Sequence, residues 1–194
     1  MRVGIATDHG GFGLKEQLVS QLHAAGHEVV DFGALSATSG DDYPDYVFPL
    51  AHAVVAGKVE RGIAICGSGV GASICANKVK GVRAALIHDH FSAKQGVEDD
   101  HMNILCMGGR TVGLCVAWDL ARTFLEGTYS SDERHLRRLG KVAAVEATRS
   151  ELPPRSKSCN ENLDSSQIML SRLRRNCCWA KINAAVHPKN RRGG

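Results

Sequence analysis

Short apolar runs recur along the chain at 2–7 (RVGIAT), 28–32 (EVVDF), 61–66 (RGIAIC), 82–87 (VRAALI) and 103–107 (NILCM), each of strand length and each followed by Gly, Asp or a polar turn. Longer stretches with a 3.6-residue apolar spacing separate them, at 12–25, 45–57, 70–79, 91–97, 112–126 and 131–146. The first helix gathers Phe12, Leu14, Leu18, Val19 and Leu22 on one side and ends at Gly26, which suits a helix C′ position. Pro49 predicts a late start or a kink in the second. Ser131 is the expected N-cap of the last. Strands alternating with helices define βαβ units, hence a parallel sheet with right-handed crossovers and helices on both faces. The expected fold is therefore a three-layer, doubly wound α/β sheet of about five parallel strands, closed by a C-terminal helix.

From residue 147 the pattern fades. Pro153-Pro154, scattered Ser and Asn and a final Arg-Arg-Gly-Gly replace the alternation, with only a short amphipathic stretch around 163–182. Residues 147–194 read as an appended, poorly ordered tail on a 1–146 domain. Charge divides at the same place. Residues 1–146 hold 14 Lys and Arg against 17 Asp and Glu, and residues 147–194 hold 10 against 3. The basic balance belongs to the tail, which leaves a solvated extension or a contact with nucleic acid as its readings.

Composition narrows the class. Of 194 residues, 43% are hydrophobic and 23% charged, as in ordinary globular proteins. No apolar run approaches the roughly 20 residues of a membrane helix, and MRVGIATDHGG has none of the regions of a secretory signal. The expected location is the cytoplasm. The seven cysteines (66, 75, 106, 115, 159, 177 and 178) include no C-x-x-C pair, so reduced thiols are expected rather than disulfides or a structural zinc site.

In doubly wound sheets, ligands bind beyond the carboxyl ends of strands. Three reactive segments fall at such ends: Asp8-His9-Gly10-Gly11, Cys66–Ser73 and His88-Asp89-His90. The middle one, CGSGVGAS, reads as strand, glycine turn and helix start, a geometry that aims backbone N–H groups at an anion. A thiol at Cys66 beside that helix start is favoured as thiolate. It can attack a carbonyl or take a proton from carbon while the amides of Gly67, Ser68, Gly69, Val70 and Gly71 hold the resulting oxyanion. The same residue also suits plain buried packing. Asp8 can accept from sugar hydroxyls and His9 can donate to a hydroxyl or phosphate; both also suit a capped turn. Tyr43, in Asp42-Tyr43-Pro44, offers an aromatic wall. Arg134 and Arg138, four residues apart on the last helix, share a face and fit a phosphate clamp, with Arg110 a third cation. The acids and imidazole of 98–101 lack a second ligand cluster, so no metal is expected. Gly67 to Ala72 also satisfies G-x-G-x-x-A, with Asp89 twenty residues after Gly69, so a dinucleotide-binding reductase is a rival. A non-enzymatic protein with a nucleic-acid-binding tail is another.

Taken together, DHGGFGLK, DDYPDY, ICGSGVGASICANK, NILCMGGRTVG and RHLRR resemble the ribose-5-phosphate isomerase B family, which also includes the galactose-6-phosphate isomerase subunits. The resemblance runs from residue 1 to about 146. It implies a Rossmann-like, cofactor- and metal-free aldose–ketose isomerase with sites at a homodimer interface, as a dimer or a dimer of dimers. Cys66 would shuttle a proton between C1 and C2, and residues 67–71 would hold the enediolate. Asp8 and His9 would bind the sugar, and Arg110, Arg134 and Arg138 the phosphate. Many members carry His-Asn before strand five, the His opening the furanose ring. This chain has Asp99-Asp100 there and His101 two residues on. Asp99 or His101 then stands as the ring-opening acid with Asp100 among the substrate contacts, or the substrate needs different help. Related sugar phosphates and unphosphorylated sugars stay open as substrates.

Overall fold

The computed structural model describes residues 1–37 and 40–149. Residues 147–149 complete the last helix, and the remainder of the expected tail, with its stretch at 163–182, lies outside the described residues. Five strands, β1 (Arg2–Thr7), β2 (Glu28–Asp31), β3 (Arg61–Cys66), β4 (Ala84–Leu86) and β5 (Ile104–Gly108), form one all-parallel sheet in the order β2-β1-β3-β5-β4. Six α-helices accompany them: α1 (Phe12–Ala24), α2 (Tyr43–Val55), α3 (Val70–Ala76), α4 (His90–Glu98), α5 (Leu114–Glu126) and α6 (Glu133–Arg149). The three-layer, doubly wound architecture expected from the apolar pattern, and the Rossmann-like fold that the resemblance implies, are observed.

Strand side chains alternate between two apolar layers. Val3, Ile5, Ile63, Ile65, Leu105 and Met107 meet Leu18 and Leu22 of α1, Val97 of α4 and Leu120 and Phe124 of α5. Ala6, Ala64, Cys66, Ile104 and Cys106 meet Val47, Leu50 and Val54 of α2 and Ala72 and Cys75 of α3. Leu18, Leu50 and Leu120 are fully excluded from solvent, each worth about 1.5–3 kcal/mol of burial. Lys15 is also buried; its ammonium meets Asp31 Oδ2 at 2.6 Å and the Ala34 carbonyl at 2.9 Å, which ties the exit of β2 to α1.

Gly26 closes α1 as expected. It adopts φ +80°, its N–H bonds the His23 carbonyl at 3.0 Å, and the His27 N–H bonds that of Leu22 at 3.0 Å. Other boundaries shift. The helix containing Pro49 starts at Tyr43 rather than 45, because Pro44 suits its first turn, and it continues through Pro49 to Val55. Ser131 does not cap α6. It sits at φ +58°, and the Asp132 carbonyl accepts the first helical N–H groups, from His135 and Leu136. Asp89 caps α4, its Oδ1 accepting the Ser92 N–H at 2.8 Å.

Sheet order decides which loops meet. β5 lies between β3 and β4, so the turn after Cys66 is flanked by the loops leaving β1 and β5. The His88-Asp89-His90 segment leaves the edge strand β4.

Candidate active site

Cys66 is the last residue of the central strand, opposite Gly108 of β5. It is 5% exposed and belongs to the layer beneath α2 and α3. Its sulfur nonetheless has a polar partner: the Gly69 N–H donates to Sγ at 3.1 Å. That bond requires the chain to double back within three residues. Gly69 makes the reversal at φ +81°, where a Cβ would fall 2.5 Å from Leu86 Cδ1 and 2.7 Å from the Met107 carbonyl carbon. The Val70 N–H turns toward Ser68 Oγ at 3.4 Å. The amides of Gly67 and Ser68 carry no such bond among the described residues.

Three loops interlock around this turn. The Gly109 N–H bonds the Cys66 carbonyl at 2.8 Å and the Arg110 N–H bonds that of Gly67 at 3.0 Å. A Cβ on Gly109 would sit 2.6 Å from Gly11 Cα, so only glycine permits that approach. The Arg110 side chain is exposed and its Nε runs beside Gly67. Tyr43 of α2 lays its ring over Gly71, where a Cβ would meet Cζ at 2.9 Å. Asp8 is buried and its Oδ1 accepts the Gly10 N–H at 2.9 Å. His9 bonds Asp41 twice, through its backbone N–H at 3.1 Å and through ring Nδ1, both to Oδ1. The Asp41 carboxyl lies below its ordinary range: burial raises it, but bonds from the His9 ring and backbone and from Tyr46 outweigh that. Asp8, His9, Tyr43, Gly67–Gly71 and Arg110 therefore stand together at the carboxyl edge of the sheet. Asp41, the first residue of DDYPDY, joins them, although nothing read from the sequence assigned it a role.

Asp99, Asp100, His101, Arg134 and Arg138 stand elsewhere. The 99–103 segment leads into β5 at its amino end, so the length of the strand, about 13 Å, separates it from the Gly108–Arg110 loop. α6 meets that segment there. His135, 1% exposed, places Nε2 3.4 Å from Asp99 Oδ1, 4.0 Å from Asp132 Oδ2 and 2.7 Å from Arg134 Nε. Asp99 also lines a cleft of about 330 Å³ with Phe91, Lys94, Gln95 and Glu98. The His101 ring stacks on Tyr129 with centroids 4.5 Å apart, and its carbonyl accepts from Arg83 Nε at 2.6 Å. Burial, and then Arg83 and Arg61, push the His101 imidazole below its usual range. Asp89, the acid of the dinucleotide reading, is engaged as the α4 cap, and the Ser92 backbone bond lowers its carboxyl. Among the described residues no group of three or more His, Cys, Asp or Glu is arranged to hold a metal, and no helix is long and apolar enough to cross a membrane.

A parallel α/β sheet that gathers a thiol, an imidazole, a carboxylate and a guanidinium on the loops of its carboxyl edge has the groups suited to a small, oxygen-rich anion. A profile of the ribose/galactose isomerase family matches residues 3–142, and the chain belongs to that family. It is 38% identical to ribose-5-phosphate isomerase B of Escherichia coli, over 76% of this chain and 98% of that one. Ribose-5-phosphate isomerase B of Clostridium thermocellum superposes with a TM-score of 0.74 at 42% identity, covering 77% of this chain and 99% of its own. The Mycoplasma genitalium enzyme, solved with bound ribulose-5-phosphate, gives 0.71 at 36% identity, covering 75% and 96%.

Proposed function

We propose that residues 1–146 interconvert an aldose phosphate and a ketose phosphate, ribose 5-phosphate and ribulose 5-phosphate foremost, through a cis-enediolate. The observation that carries this reading is the Gly69 amide on the Cys66 sulfur. Cys66, as thiolate, takes the C2 proton of the open-chain aldose. The C2–H electrons form the C1–C2 double bond, and the carbonyl electrons move to O1. The amides of Gly67, Ser68 and Gly71 receive that oxyanion. The same sulfur returns its proton to C1 while the C2 hydroxyl passes its proton to O1, which leaves a carbonyl at C2, a hydroxyl at C1 and the thiolate restored. Asp8 and His9 hold the hydroxyls, Tyr43 walls the sugar and Arg110 draws the phosphate.

The remaining groups lie on the other edge of the same chain. A homodimer in which the amino edge of one copy faces the carboxyl edge of its partner supplies Arg134 and Arg138 as phosphate clamp and Asp99 as ring-opening acid, with Asp100 beside it. His101, stacked on Tyr129, is the weaker candidate for that acid. Phosphate binding then fixes the reacting carbons at the sulfur.

Cys66→Ala should lower turnover about 10³-fold while a phosphorylated sugar still binds by calorimetry. Proton exchange at C2 across pentose and hexose phosphates identifies the substrate. Undiminished turnover in the variant removes Cys66 as the base, and a fluorescence response to NAD(H) favours the dinucleotide reading instead.

A further inference from the structure

His9 is anchored by a residue more than thirty positions away in the chain. Asp41 lies between β2 and α2, and a single oxygen, Oδ1, faces both the backbone N–H and the ring Nδ1 of His9. The two side chains are 29% and 20% exposed, so the pair sits at the rim of the pocket rather than in open solvent. Tyr46, one helical turn into α2, bonds the same carboxylate. With three donors around it, Asp41 is ionised at neutral pH and can only accept. The proton between Asp41 and His9 therefore belongs to Nδ1, and the free face of the ring is Nε2.

We propose that Asp41 is a positioning residue that fixes the tautomer and the aim of His9, so that Nε2 meets an oxygen of the bound sugar phosphate. A free imidazole in water favours the opposite tautomer, with the proton on Nε2, and its ring turns about two side-chain bonds. The carboxylate reverses the first and removes the second. When neutral, His9 presents a lone pair to a substrate hydroxyl; when protonated, it presents an N–H to a phosphate or ring oxygen. In either state it approaches from one direction. Carboxylates that accept from the far ring nitrogen of metal-bound histidines do the same, and their loss costs about 10–100-fold. The proposal rests on the reading of His9 as a substrate contact, and it adds the residue that makes His9 selective about geometry.

Two measurements test it. Long-range ¹H–¹⁵N spectra of the full chain should find His9 protonated at Nδ1 when neutral. Asp41→Ala should move that proton to Nε2, and Asp41→Asn, whose side-chain carbonyl still accepts, should keep it on Nδ1. In steady-state assays Asp41→Ala should raise KM for the sugar phosphate about tenfold with little change in kcat, and Asp41→Asn should recover most of the loss. A native His9 protonated at Nε2, or an Asp41→Ala variant with unchanged tautomer and KM, overturns the proposal. If Asp41→Ala does not fold, the native spectrum and the Asn variant decide. The spectra need no substrate. Absence of turnover on every sugar phosphate would count against the isomerase reading alone, and a wrong tautomer against the role of Asp41 alone.

Discussion

Gly69 shows how one residue can serve a fold and a site together. Its left-handed backbone lets the chain reverse directly after β3, and the same reversal delivers its N–H to the Cys66 sulfur. Any side chain there incurs backbone strain of about 1–3 kcal/mol and collides with Leu86 and the Met107 backbone. Gly69→Ala should therefore lower the unfolding free energy by at least that much, seen as a lower urea midpoint at unchanged m, and abolish turnover even in the molecules that remain folded. A variant with native stability and activity would disconnect the turn from the thiol. Cys75 and Cys106 share the layer under α2 and α3 with Cys66. Burial pushes both thiols upward, Cys106 further through its neighbours Cys66 and Cys75. Of these three sulfurs, Cys66 alone accepts an amide N–H. Its position at the strand end before the glycine turn made it legible in the sequence. Asp41 was not, because the contact with His9 joins residues remote in the chain and Asp42 beside it looked the same.

At the scale of elements, the loop between α4 and β5 carries its own test. His101 is held neutral by burial and by Arg83 and Arg61. Its folded-state pKa lies below the ordinary 6.5, so its contribution to stability is complete above that value and is lost as pH falls through the folded-state pKa. Tm should decline from about pH 7 to about pH 5, and His101→Asn should flatten the decline; an unchanged slope would assign it to other groups. Apolar periodicity located the five strands and six helices here, since each strand has a half or a face to bury. It carried no information on pairing, which is why β5 between β3 and β4 emerges only from the structure. The same limit hid His135, which lies inside α6 and is buried against Asp99.

The described residues present two chemically rich edges of the sheet, separated by the length of the strands. If each active site draws on both edges, from different copies, then two inactive variants should repair one another. Cys66→Ala and the double variant Arg134→Ala, Arg138→Ala each disable every site alone. Mixed in equal amounts and allowed to exchange subunits, half the dimers are hybrids with one intact site, giving about a quarter of wild-type activity. No recovery after verified exchange would return both sets of residues to the same chain.

Gly109 against Gly11, and Gly10 against Gly67, press main chain on main chain with no side chain between them. A pocket floor assembled this way has nothing in it that can swing or repack. On the proposed reading, admission and release of a sugar are then the work of the fringe, where the ring of Tyr43 and the arm of Arg110 keep the freedom that the floor, and the His9 ring tied to Asp41, have given up.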